Sequence, residues 1–275
     1  MIDQHDKGLA FAKLHEAGTF VLPNPWDAGT ARLLAGLGFA ALGTTSGGLA
    51  FTLGRRDGAG LVHRDETLRN IAAIATATDL PVSADLENGF GDTPGDVART
   101  IRLAAEAGAV GGSIEDATGH PDRPVYDFDA AVERVAAAAQ AARALPVPFT
   151  FTARAENFLY GRPDLDDTIR RLRAFEEAGA DVLYAPGLPD AEAVREVCAA
   201  VSRPVNVLAA GPVLGLSVAE LGELGARRVS LGSALSRAAL TATLTAAREI
   251  AGEGTFGALR GSISYAEAND LQEGA

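Results

Sequence analysis

The stretch that decides the fold is Asp96–Asp116, DVARTIRLAAEAGAVGGSIED. Its first half, Asp96–Ala107, has the apolar spacing of an amphipathic helix, and its second half, Val110–Asp116, is a short apolar run that ends in two acids. Gly108, between the halves, is typical of the position just after a helix ends. The stretch therefore predicts a helix that leads directly into a buried strand.

The same unit recurs along the chain. Near-repeats of its glycine junction are Ala35–Ala40, Glu106–Val110, Glu177–Asp181 and Glu223–Arg227. Eight apolar runs are predicted as strands: Thr19–Asn24, Ala40–Ser46, Pro81–Glu87, Val110–Asp116, Phe149–Glu156, Val182–Gly187, Pro204–Ala209 and Arg228–Gly232. The predicted helices are Asp27–Leu37, Asp65–Thr76, Asp96–Ala107, Ala130–Arg143, Asp166–Ala178, Ala191–Val201, Ser217–Leu224 and Ala234–Ile250.

Strands that are apolar throughout are buried on both faces, as parallel strands are. Eight such units predict an α/β fold, a single-domain (β/α)8 TIM barrel over residues 1–250. A doubly wound sheet is the alternative, but no Gly-x-Gly-x-x-Gly follows the first strand. Residues 251–275 break the rhythm and are predicted to form a tail or short helix that packs on a neighbouring subunit.

Composition excludes several classes of protein. The 275 residues carry a formal net charge of −12 and no Lys/Arg cluster, which argues against nucleic-acid binding. No apolar run is long enough for a membrane span, and the polar amino terminus predicts no signal peptide. Cys198 is the single cysteine and is predicted to be inert, and its isolation suits a reducing compartment. We therefore expect a cytoplasmic enzyme.

Acidic residues collect where the third and fourth predicted strands end. Asp85 and Glu87 share one face of their strand, and Glu115 and Asp116 end the next strand. Active sites of such barrels lie at these strand ends. Neighbouring carboxylates repel each other unless a cation lies between them, and all-oxygen ligation favours Mg²⁺, or Mn²⁺, over Zn²⁺. The alternative is that these acids are helix caps or surface ion pairs.

Other polar residues also fall at predicted strand ends. Arg154 is charged within a buried run, so it either pairs with Glu156 or binds a substrate carboxylate or enolate, and both roles are compatible. Ser46–Gly48 forms either an anion-binding nest of backbone N–H groups or a plain turn. Trp26 follows the first strand as a core or wall aromatic residue, and Asn206 lies on the seventh strand.

These pieces occur in an order that resembles the isocitrate lyase / phosphoenolpyruvate mutase superfamily. The motifs are Asn24–Ala28, Thr45–Leu49, Gly54–Asp57, Asp85–Gly91, Ser113–Asp116 and Thr152–Glu156. The resemblance implies Mg²⁺ held directly by Asp85 and through waters by Asp57, Glu87 and Glu115. It also implies substrate contacts from the backbone of Ser46, Gly47 and Gly48, from Arg154 and from Asn206, with Trp26 in the first motif. A homo-oligomer, dimer or tetramer, that exchanges carboxyl-terminal helices is also implied.

The loop after the fourth strand departs from the family pattern. Residues 117–124 read ATGHPDRP, without the Cys of the C–C lyases or the Lys and Asn of the phosphonate-cleaving members. We predict a Mg²⁺-dependent lyase or decarboxylase, oxaloacetate-decarboxylase-like, that acts on a small 2-oxo or 2-hydroxy dicarboxylate through a metal-stabilised enolate. Glu115, Asp57 or His120 is the candidate base. A phosphonopyruvate-type mutase or hydrolase and a noncatalytic dicarboxylate binder are the alternatives.

Overall fold

The computed structural model describes residues 2–273, and these form eight strands and eleven α-helices. The strands are β1 Phe20–Leu22, β2 Leu42–Gly43, β3 Val82–Asp85, β4 Gly111–Glu115, β5 Thr150–Arg154, β6 Val182–Tyr184, β7 Val205–Leu208 and β8 Arg228–Ser230. The helices are α1 Gln4–Leu14, α2 Ala28–Gly36, α3 Ser46–Thr52, α4 Arg64–Ala77, α5 Pro94–Glu106, α6 Phe128–Arg143, α7 Leu165–Glu177, α8 Ala191–Ala200, α9 Val218–Glu223, α10 Ala234–Glu253 and α11 Tyr265–Glu273.

The strands close into a parallel barrel, which confirms the predicted (β/α)8 fold over the doubly wound alternative. The ladders run in the order β1-β8-β7-β6-β5-β4-β3-β2, and every paired neighbour is parallel. The seam between β1 and β2 is bridged where the Gly43 N–H donates to the Pro23 carbonyl at 2.9 Å. Each predicted run contains its strand, although the strands are shorter than the runs.

Local sequence explains where the helices begin and end. At α5, Thr93 is the N-cap and forms a reciprocal capping box with Asp96, while Pro94 occupies the first turn. The prediction placed Asp96 at the start of the helix, but the structure places it inside the first turn. Gly108, with φ of +99°, then reverses the chain into β4. The apolar face of α5, including Ile101, packs on the outside of the barrel.

Two helices lie outside the predicted pattern. The helix α1 covers the amino-terminal end of the barrel, where Phe11 packs with Leu22, Ala41 and Val110. A β-carbon at Gly111 would come within 2.6 Å of the Phe11 ring, so the close fit of α1 requires glycine there. The second, α3, begins at Ser46, immediately after β2. The polar amino-terminal segment, as α1, thus covers one end of the barrel.

The carboxyl-terminal segment forms a long helix and a short one. α10 buries only Ser236 and Ala246 among its 20 residues. α11 packs on α2 of its own chain, where Arg32 Nη1 donates to the Gln272 carbonyl at 2.6 Å. Exchange of this segment with another subunit stays a prediction. Within residues 2–273, none of the helices combines the length and the apolar character needed to cross a bilayer.

Candidate active site

Arg154 is the centre of the charged cluster at the carboxyl ends of the strands. Its side chain is 12% exposed and contacts three acids. Nη1 lies 3.1 Å from Asp85 Oδ1, Nη2 lies 3.1 Å from Glu115 Oε2, and Nε donates to Glu156 Oε1 at 2.8 Å. The register of β3, β4 and β5 places these side chains on adjacent strands and on the inner face. The predicted pair with Glu156 is therefore one part of a larger cluster.

Asp85 connects this cluster to the first turn of α3. Its Oδ2 accepts from the Ser46 N–H at 3.0 Å, and its own N–H donates to Thr44 Oγ1 at 2.9 Å. The Gly48 N–H donates to Thr45 Oγ1 at 3.2 Å. Two of the N–H groups expected to form an open nest therefore already have partners inside the chain, because Ser46–Gly48 is a helix start.

Asp57 approaches the same point from the loop after α3. A β-carbon at Gly47 would lie 2.8 Å from Asp57 Oδ2, so only glycine at position 47 permits this close approach. Burial, together with the charge of Asp85, raises the pKa of Asp57. The two motifs that carry Gly47 and Asp57 in the sequence thus meet in space.

Glu87 is held in an unusual backbone conformation beside these acids. Its φ is +47°, a left-handed value that is uncommon for a residue other than glycine. Burial, followed by the charges of Asp85 and Asp57, raises the pKa of Glu87 to about 8, although Arg154 opposes this. Strained residues of this kind cluster at active sites and ligand clamps.

The donor set fits a hard divalent cation. The charge of Asp85 raises the pKa of both Asp57 and Glu87, so a cation beside these carboxylates would relieve their repulsion. Oxygen ligands of this type suit Mg²⁺ or Mn²⁺.

A tighter acidic group lies elsewhere in the chain. Across residues 2–273, only Asp3, His5 and Asp6 bring three candidate ligand atoms within 4.8 Å of one another. They are exposed at the start of α1, where Asp3 caps the helix by accepting from the Asp6 N–H, so capping explains the group without an ion.

Asp116 does not join the site, contrary to the prediction that four acids converge. Alternation along the end of β4 turns its side chain away from Glu115 and toward the helices. There it accepts from Arg171 Nη1 at 2.9 Å and from the Glu156 N–H at 2.8 Å. Burial raises the pKa of Asp116 to about 7, although Arg171 opposes this. Asp116 supports the backbone of the site from outside the barrel.

A cavity of about 160 Å³ runs from this charged cluster into the barrel. We call its open end, at Asp85 and Arg154, the mouth, and its inner end, near α1, the floor. The predicted residues that line it are Ser46, Gly47, Asp57, Asp85, Arg154 and Asn206. The cavity suits a small acid.

The remaining predicted residues lie around the mouth or behind it. Glu87, Glu115 and His120 line a second, outer hollow, and His120 itself is exposed. Gly48 and Trp26 are absent from the cavity lining. Trp26 packs behind α3, since a β-carbon at Gly48 would lie 2.8 Å from Trp26 Cβ, and its carbonyl accepts from Asn70 Nδ2. The structure thus brings together the charged residues but sets the tryptophan apart from them.

Several residues of the cavity and the outer hollow are not indicated by the sequence motifs. Tyr184, at the end of β6, lies beneath Arg154, whose guanidinium carbon is 5.0 Å from the ring centroid. Tyr160 joins Glu115 in the outer hollow. Arg228 and Ser230 line the cavity from β8. Arg228 carried a usable signal, because it is a charged residue in a buried strand, as Arg154 is.

Comparison with known proteins assigns the family. The family model described as phosphoenolpyruvate phosphomutase matches residues 11–251, which include the whole barrel except the first turns of α1. The chain belongs to this family. The predicted membership in the isocitrate lyase / phosphoenolpyruvate mutase superfamily is thereby confirmed, and its members are lyases and mutases.

Individual relatives cover nearly the full barrel. A crystal structure from Burkholderia cenocepacia, described as a candidate lyase/mutase, is 58% identical, with a TM-score of 0.94 over 97% of this chain and 95% of that one. An uncharacterized protein of Mycobacterium tuberculosis is 36% identical over 94% of each chain. An oxaloacetate decarboxylase of Ectopseudomonas mendocina is 31% identical over 82% of this chain and 77% of its own length.

Proposed function

We propose that this chain is a Mg²⁺-dependent lyase that cleaves a carbon–carbon bond of a small 2-oxo or 2-hydroxy dicarboxylate and leaves an enolate, in the manner of an oxaloacetate decarboxylase. The observation that carries the proposal is the convergence of Asp85 and Glu115 on Arg154, within 3.1 Å, at the mouth of a cavity of about 160 Å³. The similarity to an oxaloacetate decarboxylase supports the same class of reaction.

Asp85, Asp57, Glu87 and Glu115 would hold the cation, Mg²⁺ or Mn²⁺. When bound, it would supply Lewis-acid polarisation of the 2-oxo group. Asp85 is fixed for this role because Arg154 and the Ser46 N–H each hold one of its oxygens, at 3.1 Å and 3.0 Å. Each of these oxygens retains lone pairs for a further ligand.

The residues of the chain itself orient the substrate and move the proton. Arg154 lines the cavity and can donate to a substrate carboxylate while it keeps its contacts with the acids. Tyr184 covers the guanidinium from below and keeps water from it. Asp57 in the cavity and Glu115 and His120 in the outer hollow are the candidates for the group that gives or accepts a proton.

The phosphonopyruvate alternative has the weaker support. The matching family model is described by a phosphomutase activity, but residues 117–124 beside the mouth contain neither Lys nor Asn. Phosphate release from phosphonopyruvate without pyruvate release from oxaloacetate would support that alternative. Tight binding of both acids without turnover would support a noncatalytic binder.

The decisive variant is Asp85→Ala. Because it removes the proposed direct ligand, we expect Mg²⁺-dependent oxalate binding, measured by calorimetry, to weaken by about 100-fold or more. Pyruvate formation from oxaloacetate should fall to the spontaneous rate. Asp122→Ala, an exposed aspartate in the loop after β4, is the matched control and should leave both unchanged. Undiminished oxalate binding in Asp85→Ala would contradict the site.

We also propose that the protein forms a homo-oligomer, a dimer or tetramer, through its carboxyl-terminal segment. The side chains of Leu240, Leu244, Phe256 and Ile263 are about half exposed or more, a large apolar surface for a lone chain. Light scattering coupled to gel filtration tests this, and removal of residues 251–275 should shift the mass toward the monomer.

A further inference from the structure

A second arginine is buried deep in the same cavity. Arg228, the first residue of β8, is 3% exposed and lines the cavity below the mouth. Its Nε donates to Asn206 Oδ1 at 2.8 Å, its Nη2 donates to Thr152 Oγ1 at 3.0 Å, and its Nη1 lies 3.4 Å from His15 Nε2. All three partners are uncharged groups, provided that His15 is neutral.

The contacts of His15 fix its protonation. Its Nδ1 lies 2.9 Å from the Phe11 carbonyl, an acceptor, so the ring proton belongs on Nδ1. Nε2 then carries the lone pair that accepts the hydrogen bond from Arg228. Burial, followed by the charge of Arg228, lowers the pKa of His15 to about 3, which agrees with a neutral ring. His15 therefore satisfies a hydrogen bond of Arg228 but does not neutralise its charge.

Arg228 has no counter-ion within the part of the chain that the structure describes. No carboxylate of residues 2–273 lies within 4.0 Å of its guanidinium nitrogens, whereas Arg154 has three such neighbours. An arginine carries five N–H donors, of which Arg228 uses three in these contacts. A structural role would need the hydrogen bonds alone. An uncompensated buried charge that faces a cavity is instead suited to an anionic ligand.

The two arginines stand at different depths of one cavity. Thr152, which accepts from Arg228, precedes Arg154 by two residues on the same face of β5. The rise of a parallel strand separates those two levels by about 6.6 Å. With a hydrogen bond at each end, a small dicarboxylate can reach both levels.

We propose that Arg228 binds the second carboxylate of the substrate, so that the acid lies along the barrel axis with its far end at the floor. This rests on the proposed function, which places the 2-oxo or 2-hydroxy end of the acid at Asp85 and Arg154. For oxaloacetate, the carboxylate at Arg228 is the one that leaves as CO2 when the C3–C4 bond breaks and its electron pair forms the enolate. Arg228 then determines specificity, because an acid with a neutral tail leaves a buried charge without a partner. The ligand class is a 2-oxo or 2-hydroxy acid that carries a second, distal carboxylate.

A matched pair of stable ligands tests the charge at the far end. Malate and 2-hydroxy-4-methylpentanoate share the 2-hydroxy acid end, and a branched alkyl group replaces the distal carboxylate in the second. With Mg²⁺, we expect the wild type to bind malate roughly 30-fold more tightly or better, by calorimetry. In Arg228→Gln this preference should fall to a few-fold, while the affinity for oxalate, which probes the mouth alone, stays unchanged.

A second variant covers the case in which Arg228→Gln does not fold. Asn206→Asp is nearly isosteric and places a carboxylate where Oδ1 now lies, 2.8 Å from Arg228 Nε. Because it supplies an internal counter-ion, we expect a higher Tm and loss of the preference for malate over its neutral analogue.

Two results would overturn the inference: equal affinity of the wild type for malate and its neutral analogue, or an equal loss of malate and oxalate affinity in Arg228→Gln. Failure of oxalate to bind the wild type with Mg²⁺ would instead overturn the proposed function, and the inference with it.

Discussion

The barrel interior contains two buried arginines whose surroundings are opposite. Arg154, at the mouth, touches Asp85, Glu115 and Glu156. Arg228, at the floor, touches only neutral groups. Burial disfavours the charge of both, but the carboxylates raise the pKa of Arg154 well above its usual range, whereas the pKa of Arg228 falls to about 10. The chain neutralises one charge internally and leaves the other available to a ligand.

Arg154 and Arg228 have different roles, although both look alike in the sequence. Each arginine stands in an otherwise apolar strand, and each needs a negative partner. The partner of Arg154 is built into the neighbouring strands, so this residue organises the site before any ligand arrives. The partner of Arg228 must enter from outside. Removal of each arginine should therefore have different energetic consequences.

The largest effect should come from Arg154→Met. This change leaves Asp85, Glu115 and Glu156 as buried acids without a cation, so we expect the free energy of unfolding to fall by about 3–5 kcal/mol. Urea denaturation at neutral pH without divalent cations measures it. Arg195→Met, which breaks an exposed pair with Glu192, is the control and should cost less than about 1 kcal/mol. Similar losses in both variants would break the comparison.

An intermediate effect should appear as a pH dependence of stability that His15 produces. Its folded-state pKa of about 3 lies below the unfolded value, so the unfolded state takes up the proton first. The stability that His15 contributes is complete above about pH 6.5 and is lost as the pH falls toward 3; between pH 7 and pH 5 the loss reaches about 2 kcal/mol.

Comparison of the wild type with His15→Gln isolates this contribution from the carboxyl groups, which titrate in both proteins. The denaturation midpoints of the two proteins should differ more at pH 7 than at pH 5.

Because Arg228 is the second cause of the low pKa of His15, Arg228→Met should raise that pKa, as NMR of the His15 ring can measure. An unchanged pKa in this variant would mean that the charge of Arg228 does not act on His15.

The smallest effect should come from Arg228→Met on the ligand-free protein. The change removes an uncompensated charge and leaves no carboxylate without a partner. The free-energy cost of burying the charge disappears, and this offsets the lost hydrogen bonds to Asn206 and Thr152. We expect the free energy of unfolding to change by no more than about 1 kcal/mol. A loss as large as that of Arg154→Met, in the same urea assay, would mean that Arg228 has a counter-charge inside the protein.

The fold could be predicted because its signal is repeated and local. Junctions such as Glu106–Val110 combine a helix end, a glycine and an apolar run, and a positive φ at Gly108 bears out that interpretation. The helix α1 carries no such signal. Gly8, Phe11 and His15 are the buried residues of this segment, and the contacts of Phe11 and His15 depend on strands that follow later in the chain.

Period-two alternation along the strands predicts part of the site correctly, and the prediction is wrong at Asp116, where alternation was not applied. Alternation predicts Asp85, Glu87 and Glu115 on one strand-end face, and the cluster around Arg154 includes Asp85 and Glu115. Glu87 does not share the strand face of Asp85, because β3 ends at Asp85 and Glu87 turns to the outer hollow at a φ of +47°. Asp116 directly follows Glu115, and consecutive residues on a strand point to opposite faces. The spacing alone thus excluded Asp116. Arg228 met the criterion applied to Arg154, but it stands at the start of its strand, far from the end where active sites are sought.

The close fit of α1 under the barrel has a kinetic consequence. Phe11 and His15 seal the inner end, so the passage is blind and has one opening. Whatever enters must leave by the same route, and two products of one cleavage cannot depart in opposite directions. A fragment formed at the inner end has to pass Asp85 and Arg154 before it reaches solvent, so the two products share one exit.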